Sequence, residues 1–301
     1  EAEKLGFEST FTVEHHFTGL GQVSASLNLL TYLAAKTSKI KLGTAVLTLP
    51  WHNPVLLAEQ VATMDLLSKG RIQLGVGKGY RYNEFKGFNI DMKEANERFD
   101  ESIDIMVKCW KNKEKWSYAG KFWSFDDIIV EPSCHQLPYP TLWMAAGNHE
   151  AIKNVAKKNA NLLLDQFSPL DEVIKRVQVY KSELNKNKLN DDTLNRIALA
   201  RALYIAKDEN EKMEVIEKRM AARLKVDHLS ERPDGKNQSS IMSFKGPDEA
   251  LNGALIGTEE EIHERLKKLR DNGVGYLLLV DAGGGIDQLR LFAKKIMPTY
   301  H

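Results

Sequence analysis

Short apolar runs alternate with amphipathic segments along nearly the whole chain. Continuous apolar runs predict seven buried strands: STFTVEHH, IKLGTAVLTL, RIQLGVGKG, TLWMAAG, NLLLDQF, RIALARALYIA and VGYLLLVDAG. Between them apolar residues recur at helical spacing, as in NPVLLAEQVATMDLLSKG and TEEEIHERLKKLRDNG. Strands that are apolar on both faces and separated by helices are typical of a parallel sheet. The pattern therefore predicts an α/β fold, either a closed (β/α)8 barrel or an open doubly wound sheet.

The strand count is one short of the eight that a closed barrel needs. The chain opens on EAEKLGFES, which has the pattern of a helix end, a glycine stop and the start of a strand. We therefore expect a first strand and most of its helix to lie upstream of this sequence. The alternative is a seven-stranded open sheet that begins here.

Two stretches interrupt the alternation within what we interpret as a single domain, residues 1–301. Residues 115–140 carry aromatic segments on both sides of AGK, which predicts a small hairpin excursion. Residues 228–257 are rich in glycine, proline and serine. A loop of that length in a compact domain is usually functional or disordered, and its place before the last strand–helix unit predicts a lid over the barrel mouth.

Composition narrows the function without naming it. The net charge is +1, so no global field favours nucleic acid or an anionic membrane as a partner. The longest apolar runs are too short to span a bilayer. The two cysteines, Cys109 and Cys134, do not form a disulfide framework, and we expect a reduced, cytoplasmic location.

The first predicted strand ends in three titratable residues, Glu14, His15 and His16. Strand alternation places Glu14 and His16 on one face and His15 on the other, so Glu14 and His16 can pair. Histidine suits proton transfer near neutral pH, and a neighbouring carboxylate orients it. A satisfied buried polar cluster is the alternative. A metal site is disfavoured because adjacent histidines on a strand point in opposite directions.

Small residues end two further strands. In GVGKGY, Gly77 and Gly79 flank Lys78, leaving an open backbone and one cation for an anionic ligand. In MAAGNHE, Ala146 and Gly147 precede Asn148, a candidate N-cap for a helix that begins near His149. Helix N-termini bind anions. The alternatives are a strand end that needs small residues for packing and an ordinary capped helix.

The segments EHHF, IKLGTAVLTLPWHNPVLLAEQVATMDLLSKGRIQLGVGKGY and IGTEEEIHERLKKLRDNGVGYLLLV, in this order, resemble the bacterial luciferase-like flavin monooxygenases. The resemblance is weakest over 185–255. It implies a (β/α)8 barrel whose first strand is absent here. It also implies reduced FMN supplied by a separate flavin reductase, and molecular oxygen. Through a flavin hydroperoxide, these would oxidise a small hydrophobic organic substrate.

The same resemblance assigns roles to individual residues. His15 corresponds to the catalytic histidine and Glu14 to a residue lining the flavin site. The peptide bond Ala45–Val46 corresponds to one that is often cis beneath the flavin ring. The segment around Lys78 corresponds to positions beside the ring and phosphate: Gly77, Lys78 and Gly79. Lys78 replaces the family's arginine, which keeps the charge and loses the bidentate fork.

The family also carries an acidic residue and a serine near the phosphate, where this chain has Ala146 and Gly147. The backbone amides of Gly147 and Asn148 would then bind the phosphate. We do not expect light emission. A dimer formed through the helix at 54–68 is expected from the family. A deazaflavin-dependent dehydrogenase on the same barrel and a non-catalytic flavin-binding subunit remain as alternatives.

Overall fold

The computed structural model describes residues 1–227, 232 and 246–300. The chain forms two compact units, one made of residues 8–143 and the other of residues 1–7 with 144–301. Among the described helices, none combines the length and apolar character that crossing a bilayer requires.

Parallel strands form the sheet of the first unit, residues 8–143. These strands are β1 (Ser9–Thr12), β2 (Lys41–Thr44), β3 (Leu47–Thr48) and β4 (Ile72–Gly77). Strand β2 pairs with both β1 and β4, and β3 pairs with the end of β4. Every residue of β4 is buried, as expected for a strand covered on both faces.

Helices follow the strands of this unit: α1 (Ser26–Lys36), α2 (Pro54–Leu67), α3 (Tyr82–Gly87) and α4 (Ala95–Lys111). Helix α2 begins sharply because the Asn53 side chain accepts the backbone N–H groups of Val55 and Leu56, with Pro54 in the first turn. An antiparallel hairpin of β5 (Trp116–Ala119) and β6 (Ser124–Ile128) confirms the excursion predicted within 115–140.

Strand β7 (Thr141–Ala145) leads from the first unit into the second. The second unit centres on β9 (Ile197–Ile205), which pairs in parallel with β8 (Asn161–Leu164), β10 (Leu255–Gly257) and β11 (Tyr276–Asp281). Its helices are α5 (His149–Lys157), α6 (Leu170–Lys186), α7 (Glu209–Asp227), α8 (Pro247–Asn252), α9 (Glu259–Asp271) and α10 (Gly285–Lys295). All seven predicted strands are present, which confirms the α/β prediction.

The predicted lid at 228–257 is wrong at its carboxyl end. Residues 247–257 form helix α8 and strand β10 rather than a loop. Ala250, Ala254 and Ile256 are buried in an apolar cluster with Val215 and Ile216 of α7, so core packing overrides the glycine- and proline-rich composition. The predicted lid residues 228–231 and 233–245 lie outside the described residues.

Candidate functional site

A cluster of histidines and carboxylates lies beyond the carboxyl end of β1. Strand β1 stops at Thr12, and two backbone contacts hold the segment that follows. The Ser26 hydroxyl donates to the Val13 carbonyl (2.7 Å), and the His15 N–H donates to the Val23 carbonyl (2.9 Å). We name this group the histidine–carboxylate cluster: Glu14, His15, His16, His52 and Glu84.

His15 is oriented by a buried carboxylate. Its Nδ1 lies 2.9 Å from Glu84 Oε1, and the same oxygen accepts the His16 backbone N–H at 2.9 Å. The Glu84 side chain is 2% exposed and that of His15 is 14% exposed, so the imidazole is partly accessible to solvent and the carboxylate is buried. When Glu84 is ionised and the imidazole is neutral, Nδ1 is the donor, because a carboxylate only accepts hydrogen bonds, and Nε2 is left with a lone pair. This arrangement suits proton transfer at Nε2.

The carboxylate of Glu14 is hydrogen-bonded to three groups, two imidazoles and one backbone amide. Its Oε1 contacts His52 Nε2 (2.7 Å) and His16 Nε2 (3.2 Å), and its Oε2 accepts the Thr48 N–H (2.7 Å). Burial acts to raise the pKa of Glu14, but the bonds from His52, Thr48 and His16 outweigh it, so the pKa lies below its ordinary value. The predicted pairing of Glu14 with His16, and the separate course of His15, are confirmed.

The peptide bond Ala45–Val46 is cis, which confirms the form that the resemblance implied. The bond lies between β2 and β3. Just before it, Thr44 of β2 is hydrogen-bonded to the backbone of β4. Thr44 Oγ1 donates to the Gly75 carbonyl (2.7 Å) and accepts the Gly75 N–H (3.0 Å). A Cβ at Gly75 would lie 1.8 Å from the Thr44 carbonyl oxygen, so this glycine serves close packing of strands.

The glycines around Lys78 have different surroundings. Gly77 is the buried last residue of β4, and Gly79 has φ +78°, where a Cβ would lie 2.7 Å from Thr48 Cγ2. Lys78 is exposed, and its Nζ donates to the neutral Asn96 Oδ1 at 2.8 Å. Among the described residues Lys78 forms no ion pair, so its charge is available to an anionic group.

Ala146, Gly147 and Asn148 lie in the second unit. Asn148 caps α5 as predicted, with its side chain accepting the Ala151 N–H at 2.9 Å. Ala146 is buried, and its N–H donates to the Leu163 carbonyl at 3.3 Å. The other candidate residues lie in the first unit: Glu14, His15, Ala45, Val46, Gly77, Lys78 and Gly79. Participation of residues 146–148 in a phosphate site stays a prediction.

Two members of the cluster were missed in the sequence. Glu84 is 69 residues from His15, and His52, which follows a strand in LPWHNP, is 38 residues from Glu14. Both come shortly after strands whose carboxyl ends meet in a parallel sheet, and that position is the signal that points to them. The spacing along the chain carries no information about either contact.

Aromatic rings border the cluster. His16 stands edge-on to Phe88, with centroids 4.8 Å apart, and Trp51 stacks on Phe88 at 5.3 Å. In the described part of the chain, Trp51 Nε1 and Thr12 Oγ1 are buried without a hydrogen-bond partner. The apolar faces of these rings suit a flat heterocycle such as an isoalloxazine.

Comparisons with known proteins agree with this geometry. The family model for luciferase-like monooxygenases matches residues 1–275. The chain is 24% identical over 318 residues to the oxygenase component of a flavin-dependent trigonelline monooxygenase from Acinetobacter baylyi, covering 99% of this chain and 87% of that protein. It spans about half the length of several other curated relatives that it matches.

Two solved structures share the fold along the whole chain. The monooxygenase RslO1 from Streptomyces bottropensis has a TM-score of 0.84 and 24% identity, covering 100% of this chain and 91% of that one. An F420-dependent secondary alcohol dehydrogenase in complex with an F420–acetone adduct has a TM-score of 0.82 and 14% identity, covering 100% and 92%. This likeness confirms the predicted barrel fold class.

Proposed function

Because the chain belongs to the luciferase-like monooxygenase family, we propose that it is the oxygenase of a two-component system. It would use reduced FMN and molecular oxygen to oxidise a small hydrophobic organic substrate. A separate flavin reductase would supply the reduced FMN. The observation that carries the proposal is the contact between His15 Nδ1 and the buried Glu84, which leaves Nε2 for proton transfer.

The residues divide the remaining work. When bound, reduced FMN would supply the two electrons that activate oxygen, so that one oxygen atom goes to the substrate and the other leaves as water. His15 Nε2 would accept a proton at the reacting group and return it. Trp51 and Phe88 would exclude water, which otherwise lets the activated oxygen leave as hydrogen peroxide without forming product. Lys78 would bind the phosphate through its charge.

Glu14 would act from a buried position. With its side chain 2% exposed and both oxygens engaged, it fixes His16, His52 and the Thr48 amide. Thr48 follows the Ala45–Val46 bond by two residues, so Glu14 holds the segment that would lie beneath the flavin ring.

A deazaflavin-dependent dehydrogenase is the second candidate, since one solved structure of the same fold is an F420-dependent dehydrogenase. A dehydrogenase needs no oxygen, so the two functions differ in both cofactor and products. A non-catalytic flavin-binding subunit is the third candidate, and the oriented His15 argues against it.

A cofactor titration tests the proposal. We expect reduced FMN to bind, measured by anaerobic flavin fluorescence, and F420 to bind at least about tenfold more weakly. Lys78→Ala should weaken FMN by about tenfold and leave riboflavin unchanged, because only FMN carries the phosphate. Tight F420 binding without FMN affinity would overturn the proposal. Flavin binding with no oxygenated product from any of a broad substrate panel would favour the non-catalytic subunit.

We also infer a dimer formed through α1 and α2. Four large apolar side chains of these helices are strongly exposed: Tyr32 (61%), Leu56 (53%), Leu66 (42%) and Leu67 (60%). Both helices belong to the first unit, and a second copy of the chain packed on them would cover these side chains.

A single charge should dissociate this dimer. We expect Leu67→Glu to convert the dimer to a monomer at micromolar concentration in sedimentation velocity, because an unpaired charge would be buried at the interface. Leu137→Glu is the matched control, since Leu137 is 82% exposed and lies outside α1 and α2. A wild-type monomer, or a dimer that survives Leu67→Glu, would show that α2 is not the interface.

A further inference from the structure

A buried arginine adjoins the histidine–carboxylate cluster. Arg81 precedes α3, is 4% exposed, and its carbonyl accepts the Glu84 N–H at 3.2 Å. A guanidinium stays charged at any accessible pH, so its burial is costly unless hydrogen-bond acceptors surround it. The acceptors that surround Arg81 therefore indicate whether it serves the fold or a ligand.

Those acceptors are too few. Arg81 Nη1 donates to the side-chain oxygen of Gln22 at 2.9 Å, while Nε is buried without a hydrogen-bond partner. Within residues 1–227, 232 and 246–300, no carboxylate forms an ion pair with Arg81. Glu84, three residues further on, directs its Oε1 to His15 and to the His16 amide.

Arg71 of the same unit shows how the chain satisfies a structural arginine. All three of its guanidinium nitrogens donate, through five hydrogen bonds of 2.8–3.2 Å to four backbone carbonyls and one hydroxyl. These acceptors belong to Ala34, Thr37, Ile40 and Ser68. By that standard Arg81 lacks acceptors, and a buried arginine that lacks them is suited to an anionic ligand.

The group that now contacts Arg81 can be displaced. Gln22 is exposed and supplies a neutral amide oxygen. On its amino-terminal side, Gly19 and Gly21 have φ +69° and +67°, and no heavy atom lies within 4 Å of a Cβ built on either. Gly19 and Gly21 therefore do not hold Gln22 in place through close packing.

Arg81 and His15 share an aromatic neighbour. The Arg81 guanidinium carbon lies 5.7 Å from the Tyr80 ring centroid, and the His15 ring stands edge-on to the same ring at 6.2 Å. A group held by Arg81 would thus lie within reach of a small molecule that contacts His15.

We propose that Arg81 binds a carboxylate of the substrate, with the group replacing Gln22, so that the substrate is an organic acid with an apolar body. That this acid is the substrate of the reaction rests on the proposed function. A planar carboxylate matches the guanidinium fork, and the rings of Tyr80, Trp51 and Phe88 suit an apolar body. The flavin phosphate is the other source of an oxyanion, and the experiment separates the two.

The first measurement compares acids with their neutral amides by calorimetry on the full chain, with and without oxidised FMN. The probes are acetate, hexanoate and benzoate against acetamide, hexanamide and benzamide. We expect at least one acid to bind about 10- to 100-fold more tightly than its amide. Arg81→Gln should abolish that preference and Arg81→Lys should retain part of it. Arg98→Gln, which removes an arginine paired with Glu94, should leave it unchanged.

The second measurement changes an exposed residue instead of the buried arginine. Gln22→Glu places a carboxylate of the chain itself at Arg81, and since Gln22 is exposed we expect the fold to survive. Acid affinity should fall about tenfold or more, while amide affinity stays the same. Gln22→Ala should leave acid binding intact or tighten it. No preference for any acid, or unchanged acid affinity in both Arg81→Gln and Gln22→Glu, would show the proposal to be wrong.

Comparing FMN with riboflavin shows whether Arg81 binds the flavin phosphate or a substrate carboxylate. If Arg81→Gln weakens FMN but not riboflavin, Arg81 serves the flavin phosphate and the substrate assignment fails. If the acid preference holds but FMN does not bind, the carboxylate site stands and the proposed function fails. FMN binding without any acid preference overturns the Arg81 assignment alone.

Discussion

His15→Ala should lower the rate of product formation by about 10²- to 10⁴-fold, the usual contribution of a positioned acid–base group. The loss follows from removing the imidazole whose Nδ1 is held 2.9 Å from Glu84 Oε1. FMN affinity should stay close to the wild-type value, because His15 acts on a proton rather than on the phosphate. The measurement is the rate constant of product formation in a single turnover of reduced FMN with excess oxygen.

Glu84→Gln is the matched variant, since it keeps the size of the side chain and removes its charge. An amide can donate to Nδ1, which would shift the imidazole proton to Nε2. We expect a smaller loss than for His15→Ala, about 10- to 100-fold, together with a displaced pH–rate profile. If His15→Ala forms product at the wild-type rate, the proton-transfer role is wrong. If Glu84→Gln changes only stability, Glu84 does not position His15.

Glu14→Ala should destabilise the folded chain by about 3 kcal/mol at pH 7. The substitution leaves the Thr48 N–H and two imidazoles without their shared acceptor inside a buried site. The free energy of unfolding can be measured by urea denaturation with tryptophan fluorescence. Glu8→Ala is the control: its carboxylate pairs with Lys41 but is 57% exposed, so its removal should cost less than about 1 kcal/mol.

The contribution of Glu14 should depend on pH. Its pKa in the folded chain lies below the ordinary 4.5, so ionised Glu14 stabilises the fold fully above that value. This stabilisation is lost as the pH falls below 4.5 through the lowered pKa. The difference in unfolding free energy between wild type and Glu14→Gln should therefore shrink from pH 7 to pH 3. A difference that stays constant over this range would contradict the role given to the charge.

Local patterns in the chain were enough to identify the strands, the hairpin and the family. Apolar runs predict all seven strands because burial on both faces of a parallel sheet leaves a continuous signal. Asn148 could be predicted as a cap because its side chain bonds an amide three residues away. The pairing of Glu14 with His16 could likewise be predicted, since alternation along an extended segment brings positions two apart together.

Contacts between distant segments could not be predicted in this way. Glu84 and His52 join the cluster across 69 and 38 residues, and Arg81 meets Gln22 across 59, distances over which no periodicity relates two side chains. The helix and strand at 247–257 form against composition because α7 covers their apolar side chains. These contacts form through hydrogen bonding and burial between residues that are neighbours in space. Which residues become neighbours depends on how the strands are arranged in the fold. The order of residues along the chain was sufficient only where the interacting groups are themselves close in sequence.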